Sequence, residues 1–235
     1  MTTLLLRLAG PMQSWGDSSR FYHRGTRREP TKSGVVGLLA AALGRRRTDP
    51  VEDLAGLRFG VRVDQVGVVE TDFQTATDWE RGSTKPLTHR DYLADARFLV
   101  ALEGPDVLLD GLAAAIRRPV FPIYLGRRAF APTGRVVLGT SDAPLARALE
   151  EADWLAADWY RRRQPATVRL AVSRDAEPGE TADETIADVP VSFDPRNRVH
   201  ALRRVVHGWT EVANDLPAVT GRVPDHDPML LTGGE

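Results

Sequence analysis

Residues 4–16 read L-L-L-R-L-A-G-P-M-Q-S-W-G, and residues 30–44 read P-T-K-S-G-V-V-G-L-L-A-A-A-L-G. These two stretches decide the fold. The leucine-rich run over residues 3–9, closed by Gly10 and Pro11, predicts a buried strand. Residues 35–43 are apolar nearly all round, which predicts a well-buried helix. Thr31 or Ser33 stands where an N-cap hydroxyl accepts an orphan backbone N–H. Gly44 stands where a helix ends, with Arg45, Arg46 and Arg47 near the negative end of its dipole. Between strand and helix lies a glycine-bounded turn holding Met12, Gln13, Ser14 and Trp15. Two readings of it stand. Either it exposes polar and aromatic groups that hydrogen-bond to and stack on a base, or Trp15 folds onto the core and Gln13 caps a backbone group.

Working outward, residues 18–29 are arginine-rich without a clear period, so they are irregular or a short edge strand. Residues 50–57 suggest a short helix. Residues 57–63 and 66–71 alternate like two strands paired with each other. Residues 73–90 are polar, carry Gly82 and Pro86, and predict a projecting hairpin or finger. Residues 92–102 return to a strand with Phe98, Val100 and Leu102 on one face. Residues 106–117 are amphipathic, with Leu108, Leu109, Leu112 and Ile116 inward. Strand, helix, two strands, helix and a further strand is the order of a ferredoxin-like or RRM-like α+β domain. After about residue 140, a helix over 144–155 and strands over 167–173, 188–194 and 201–212 predict a smaller β-rich part. The expected division is 1–140 and 141–235, with the last residues fraying.

The chain has 235 residues, enough for one large domain or two small ones. It has no cysteine, which excludes disulfides, thiolate metal sites and thiol nucleophiles. No run approaches the roughly 20 apolar residues of a membrane span. The start has no signal-peptide pattern, and a cytoplasmic protein is the expectation. The net charge of −1 hides an asymmetry. Arg20, Arg24, Arg27, Arg28, Lys32, Arg45, Arg46 and Arg47 face the lone acid Glu29 over residues 18–47. Arg117, Arg118, Arg127 and Arg128 follow without an acid between them, whereas residues from 175 onward are rich in Asp and Glu. Such a basic field points to a polyanion. Over residues 121–132, Tyr124 and Phe130 flank Gly126, Arg127 and Arg128, which interleaves aromatic and basic groups as single-strand binding requires. The other reading packs the aromatic pair on the core and leaves both arginines solvated. P-T-K-S-G lacks the phosphate-loop spacing, so nucleotide hydrolysis is not indicated. A helix start beside Lys32 is still a fair phosphate site.

Four blocks carry a resemblance: L-x-L-x-G-P-M-Q-S-W-G at 6–16, R-G-T-R-R-E-P-T-K-S-G-V-V-G-L-L-A-A-A-L-G at 24–44, H-R-D-Y-L-A-D-A-R-F at 89–98 and Y-L-G-R-R at 124–128. In this order they resemble the CasD subunit family of type I-E CRISPR Cascade, within the wider RAMP group. The resemblance covers residues 4–132. It implies an RRM-like N-terminal domain with a thumb hairpin at 73–90 and a smaller C-terminal part. It implies a non-catalytic subunit that binds and caps the 5′ handle of the CRISPR RNA in antiviral defence. The partners it implies are the CasC backbone subunit and the large CasA subunit, while CasE cuts the precursor. No cofactor is implied.

On that basis Arg24, Arg28, Lys32, Arg90, Arg127 and Arg128 are the expected phosphate contacts, because the guanidinium fork matches phosphate. Gln13, Trp15, Thr26, Tyr92 and Tyr124 are candidates for base or sugar contacts, with Gly126 in the same step. The rival is a metal-independent endoribonuclease, as in a related type I-C branch. It needs a general base, an acid and a cation, which Tyr22, His23 and Lys32, or His89 with Arg90, supply by type. A third reading is a structural subunit whose basic face meets acidic protein. No cluster has metal-ligand spacing, and Asp225, His226 and Asp227 lie near the end of the chain.

Overall fold

The computed structural model describes residues 2–16, 22–80, 82–84 and 86–216. The first half contains β1 (Thr2–Ala9), β2 (Met12–Gln13), β3 (Trp15–Gly16), β4 (His23–Arg24), β5 (Thr26–Arg27), α1 (Lys32–Ala42) and α2 (Glu52–Ala55). Next come β6 (Arg58–Gln65), β7 (Val68–Gln74), β8 (Thr77–Asp78), β9 (Ser83–Thr84), β10 (Thr88–Ala94), β11 (Arg97–Gly104) and α3 (Asp106–Arg117). The chain continues through β12 (Val137–Ser141), α4 (Leu145–Glu151), α5 (Asp158–Arg161), β13 (Thr167–Asp175), β14 (Glu184–Ser192) and β15 (Val199–Ala213). The architecture is mixed α and β with mostly antiparallel sheets.

The main sheet runs β12-β1-β11-β6-β13-β15-β14, and every neighbouring pair is antiparallel. Strand periodicity sorts its side chains. Leu4, Leu6 and Leu8 of β1 and Phe98, Val100 and Leu102 of β11 join Val35, Leu39, Leu109, Leu112 and Ile116 of α1 and α3 in one core. Leu99 and Ala101 point the other way, onto Leu145 and Leu149 of α4, with Leu5 packed beside them. Each fully buried leucine of this kind contributes about 1.5–3 kcal/mol. With both faces covered, β1 and β11 read as near-continuous apolar runs. β12, β1, β11 and β6 form a β-α-β-β-α-β unit, and β13, β15 and β14 extend the same sheet beyond β6.

Helix α1 begins as its sequence predicts: the Thr31 hydroxyl accepts from Gly34 N at 3.2 Å. Gly44 closes it at φ +77°. Arg45 N donates to Ala40 O at 2.8 Å and helps close the helix end, while its guanidinium makes two hydrogen bonds to the Asp53 carboxylate at 2.5 Å. The start of α1 corrects a second expectation. Lys32 N donates to Asp188 Oδ2 at 2.9 Å, and Lys32 Nζ to Asp175 Oδ2 at 3.0 Å. Arg203 completes the cluster, reaching Asp188 at 2.5 Å and Asp175 at 3.0 Å. The helix N-terminus and the Lys32 ammonium are thus satisfied by carboxylates of β13 and β14, and neither is left for a phosphate.

Three strand expectations change. β6 and β7 do not pair with each other: β6 lies between β11 and β13, and β7 pairs with β10. The expected strand over 92–102 is two strands, broken at Asp95, whose φ is 51°. The expected finger is a hairpin whose arms start lower, with Val68 opposite Ala94 and Gln74 opposite Thr88. At its tip Thr77 pairs with Thr84, while residues 81 and 85 lie outside the described ones. Residues 17–21, which hold the start of the arginine-rich lead-in with Arg20, and residues 217–235, where the sequence predicts fraying and Asp225, His226 and Asp227 stand, also lie outside the described residues.

Candidate nucleic-acid interface

The small sheet beside the main one is built on β10. Its edge residues pair with β7 on one side, and on the other with β2 at Leu93 and, in parallel, with β4 at His89 and Arg90. This places Arg24 next to Arg90. Residues 124–130 close over the same strand. Leu125 is buried in the main core, and its carbonyl accepts from Ser14 N at 3.1 Å. Leu125 N donates to Phe130 O at 2.7 Å and Phe130 N to Arg127 O at 2.8 Å, so the segment is a tight loop. Gly126 sits in it at φ +86°, with the Ser14 carbonyl oxygen 1.6 Å from where a Cβ would lie. Only glycine fits that place.

The result is a cleft of about 440 Å³, lined by Arg90, Tyr92, Tyr124, Arg127 and Arg128, with Arg47, Gln74 and the loop backbone. That volume lies in the roughly 300–1,000 Å³ range of ligand pockets. Arg127 lies over the Tyr92 ring at 5.0 Å, and Phe130 meets the same ring edge-on at 5.1 Å. Burial holds the Arg127 guanidinium below its usual range. Tyr92 acts against this, and the neighbouring cations Arg90 and Arg24 add to it. Among the described residues, Arg24, Arg90, Arg127 and Arg128 have no carboxylate within ion-pair distance. The Nε atoms of Arg90 and Arg127 are buried without an acceptor. Buried donors left unpaired cost about 1–3 kcal/mol each. The cleft therefore carries positive charge that no acid among the described residues balances, and the half-buried Tyr124 offers a ring beside it.

Six of the twelve residues expected from sequence meet here: Arg90, Tyr92, Tyr124, Gly126, Arg127 and Arg128. Arg24 adjoins them, and Arg28 is exposed on the segment that follows β5. The others belong to the scaffold. Gln13 and Trp15 are fully buried. Gln13 Nε2 donates to Ala96 O at 2.7 Å, and Trp15 Nε1 donates to Gln13 Oε1 at 3.2 Å. The Thr26 hydroxyl accepts from Trp15 N at 2.8 Å. Trp15 also lies against α1, where Gly34 leaves room for its ring. The turn therefore holds the loop up from beneath and presents neither Gln13 nor Trp15 to a base. Tyr92 is only 4% exposed, so its ring supports Arg127 and is not itself a stacking platform. Lys32 leaves the site for the reason given above. Arg47 and Gln74 are additions. The Arg45–Arg47 triplet and the boundary between β7 and the hairpin tip marked their positions but not their convergence.

For the groups considered for cleavage chemistry, His23 Nε2 lies 2.8 Å from Asp91 Oδ2. Burial raises the Asp91 carboxyl, but hydrogen bonds from Thr71 and His23 outweigh it and hold it below the usual range. Among the described residues no group of three or more His, Asp or Glu is placed to hold a metal ion. No helix among them is long and apolar enough to cross a membrane.

The family model described as CRISPR-associated protein (Cas_Cas5) matches residues 3–206. The chain is 38% identical over 160 residues to the CRISPR system Cascade subunit CasD of Escherichia coli (strain K12), spanning 60% of this chain and 71% of that protein. It is similar to a solved chain of a CRISPR RNA-guided surveillance complex, with TM-score 0.75, 38% identity and 98% of each chain covered. It is also similar to a crystal structure of a Cas protein, with TM-score 0.69 and 41% identity, over 92% of this chain and 97% of that one.

Proposed function

Because the chain belongs to the CRISPR-associated Cas5 family, we propose that it is a CasD-type subunit of a Cascade surveillance complex that binds and caps the 5′ handle of the CRISPR RNA. The observation that carries this reading is the cleft at β10. Arg90, Arg127 and Arg128 line it and Arg24 adjoins it, with no carboxylate paired to them among the described residues. A single strand supplies the missing anions as phosphates, and a base beside Tyr124 supplies a stacking partner. The β12-β1-β11-β6 unit is read as RRM-like, on its strand order. Residues 1–140 make up that domain with its thumb, and 141–235 are a β-rich addition on the sheet edge.

The thumb supports a protein contact. Phe73 and Trp79 are 67% and 86% exposed there, and Val68, Val69 and Leu87 are exposed with them. Aromatic and aliphatic side chains gathered on a projection mark an interaction surface. The backbone subunit CasC and the large subunit CasA are the proposed neighbours, in a cytoplasmic ribonucleoprotein.

The proposed role is binding without cleavage. Of the groups that would serve a metal-independent nuclease, Lys32 is held by Asp175 and His23 by Asp91. The test combines binding and integrity of a repeat-derived RNA in EDTA, with salt varied. Intact RNA and an affinity that falls steeply with salt are expected. Cleavage by the wild type but not by His23→Ala would replace this reading with the nuclease.

A further inference from the structure

Gln74 is a neutral amide among the residues that line the cleft. It ends β7, where the Thr88 hydroxyl donates to its backbone carbonyl at 3.1 Å and ties it to β10. Its side-chain nitrogen is committed. It donates to Asp72 Oδ2 at 3.1 Å and lies 3.5 Å from the Tyr92 hydroxyl. A carboxylate only accepts, so flipping the amide would set two acceptors against each other. The group Gln74 has left for the cleft is therefore its carbonyl oxygen, an acceptor. Elsewhere the cleft is lined by the guanidinium groups of Arg90, Arg127 and Arg128, which only donate. Donors for an anion together with one amide acceptor match the polarity of a single nucleotide.

Resting on the RNA reading, we infer that the cleft takes one nucleotide extruded from the strand. Its phosphate lies on Arg90 and Arg127. Gln74 selects a base with an amine at purine C6 or pyrimidine C4, adenine or cytosine, over guanine or uracil, which carry a keto oxygen there. The amine projects beyond the ring and donates to Gln74 Oε1, whereas a keto oxygen at the same place faces it as a second acceptor. Arg47, on the rim, adds a cation beside the nucleotide.

The test is a selection in the assembled complex. The full chain is combined with the other Cascade subunits and RNAs randomised across the repeat-derived 5′ end, and the retained RNAs are sequenced. Wild type is expected to enrich adenine and cytosine at one position by about tenfold. Gln74→Ala flattens that position while enrichment elsewhere persists. Gln74→Met, which keeps the length without an acceptor, does the same should alanine unsettle the hairpin. The inference is overturned if no position favours adenine and cytosine over guanine and uracil, or if both Gln74→Ala and Gln74→Met retain the preference. Wild-type complexes that assemble without RNA would instead overturn the RNA reading itself.

Discussion

Arg127 and Lys32 carry the same charge and play opposite parts. Arg127 lies over Tyr92 with an unpaired Nε, beside Arg90 and Arg24. Lys32 is buried against Asp175, and its backbone is bound to Asp188. Arg127→Ala should therefore weaken RNA binding by about 1.5–3 kcal/mol, the range for a hydrogen bond to a charged group. It should also lower the slope of log affinity against log salt by about 0.7, one single-strand phosphate. Lys32→Met should leave RNA affinity unchanged and lower stability by about 3 kcal/mol, as a broken buried pair does. Arg203 still holds Asp175 and limits the damage. Filter binding over a salt series and chemical denaturation separate the two effects. The difference was not legible in the sequence, where both residues lie in basic stretches. The carboxylates that claim Lys32 come from far along the chain, and spacing near residue 32 says nothing about them. Gln13 and Trp15 were ambiguous for the same reason. A polar-aromatic turn reads alike whether it faces a base or, as here, Ala96 and α1. By contrast, the aromatic-basic interleaving at 124–130 was visible, because one short loop supplies both groups.

Among the elements, the hairpin of β7 and β10 serves two purposes. Its base holds the cleft residues Arg90, Tyr92 and Gln74, and its tip presents Trp79 to the surroundings. Replacing residues 75–87 by a two-residue turn should leave the arms paired and thermal unfolding close to that of the parent. It should reduce co-purification with the backbone subunit several-fold. Equal recovery of the shortened chain in the complex would refute the protein-contact role. The connection from β13 to β14 makes a pH prediction. A hydrogen bond from Arg174 holds the Glu180 carboxyl down from 4.5 to about 2, with backbone N–H donation from Glu177 adding to it. Because the folded value is the lower one, the contribution is complete above the unfolded value and is lost as pH falls through the folded one. The Tm difference between wild type and Glu180→Gln should be constant at neutral pH. It should close as pH drops from about 4.5 towards 2. The helices and the first strand were legible as elements because caps and apolar periods are local. Pairing was not. β6 and β7 both alternate, and nothing in either run says that one enters the main sheet while the other joins β10. The break at Asp95 was equally hidden, since a single left-handed residue leaves the apolar pattern intact.

Taken whole, the molecule spends its charges on two tasks, which a net charge of −1 conceals. Acids of the C-terminal strands are tied to bases of the chain: Asp175 and Asp188 hold Lys32 and Arg203 inside, and the exposed Glu184 lies 3.4 Å from Arg27. These contacts lock the later strands to the first helix. Arg24, Arg90, Arg127 and Arg128 collect instead around β10 and the 124–130 loop, where a polyanion would supply the counter-charge. The order of strands and helices in the first half was legible, as was a basic surface. That the later strands extend the same sheet was not, because sheet continuity depends on β6 meeting β13 across a long connection. The most direct test of the central claim is ultraviolet crosslinking of the assembled complex, with RNA-bound peptides mapped by mass spectrometry. The account predicts adducts on Tyr124, Arg127 and neighbouring cleft residues, joined to the 5′ handle. Intact complexes whose crosslinks to this chain fall only on other surfaces would contradict it.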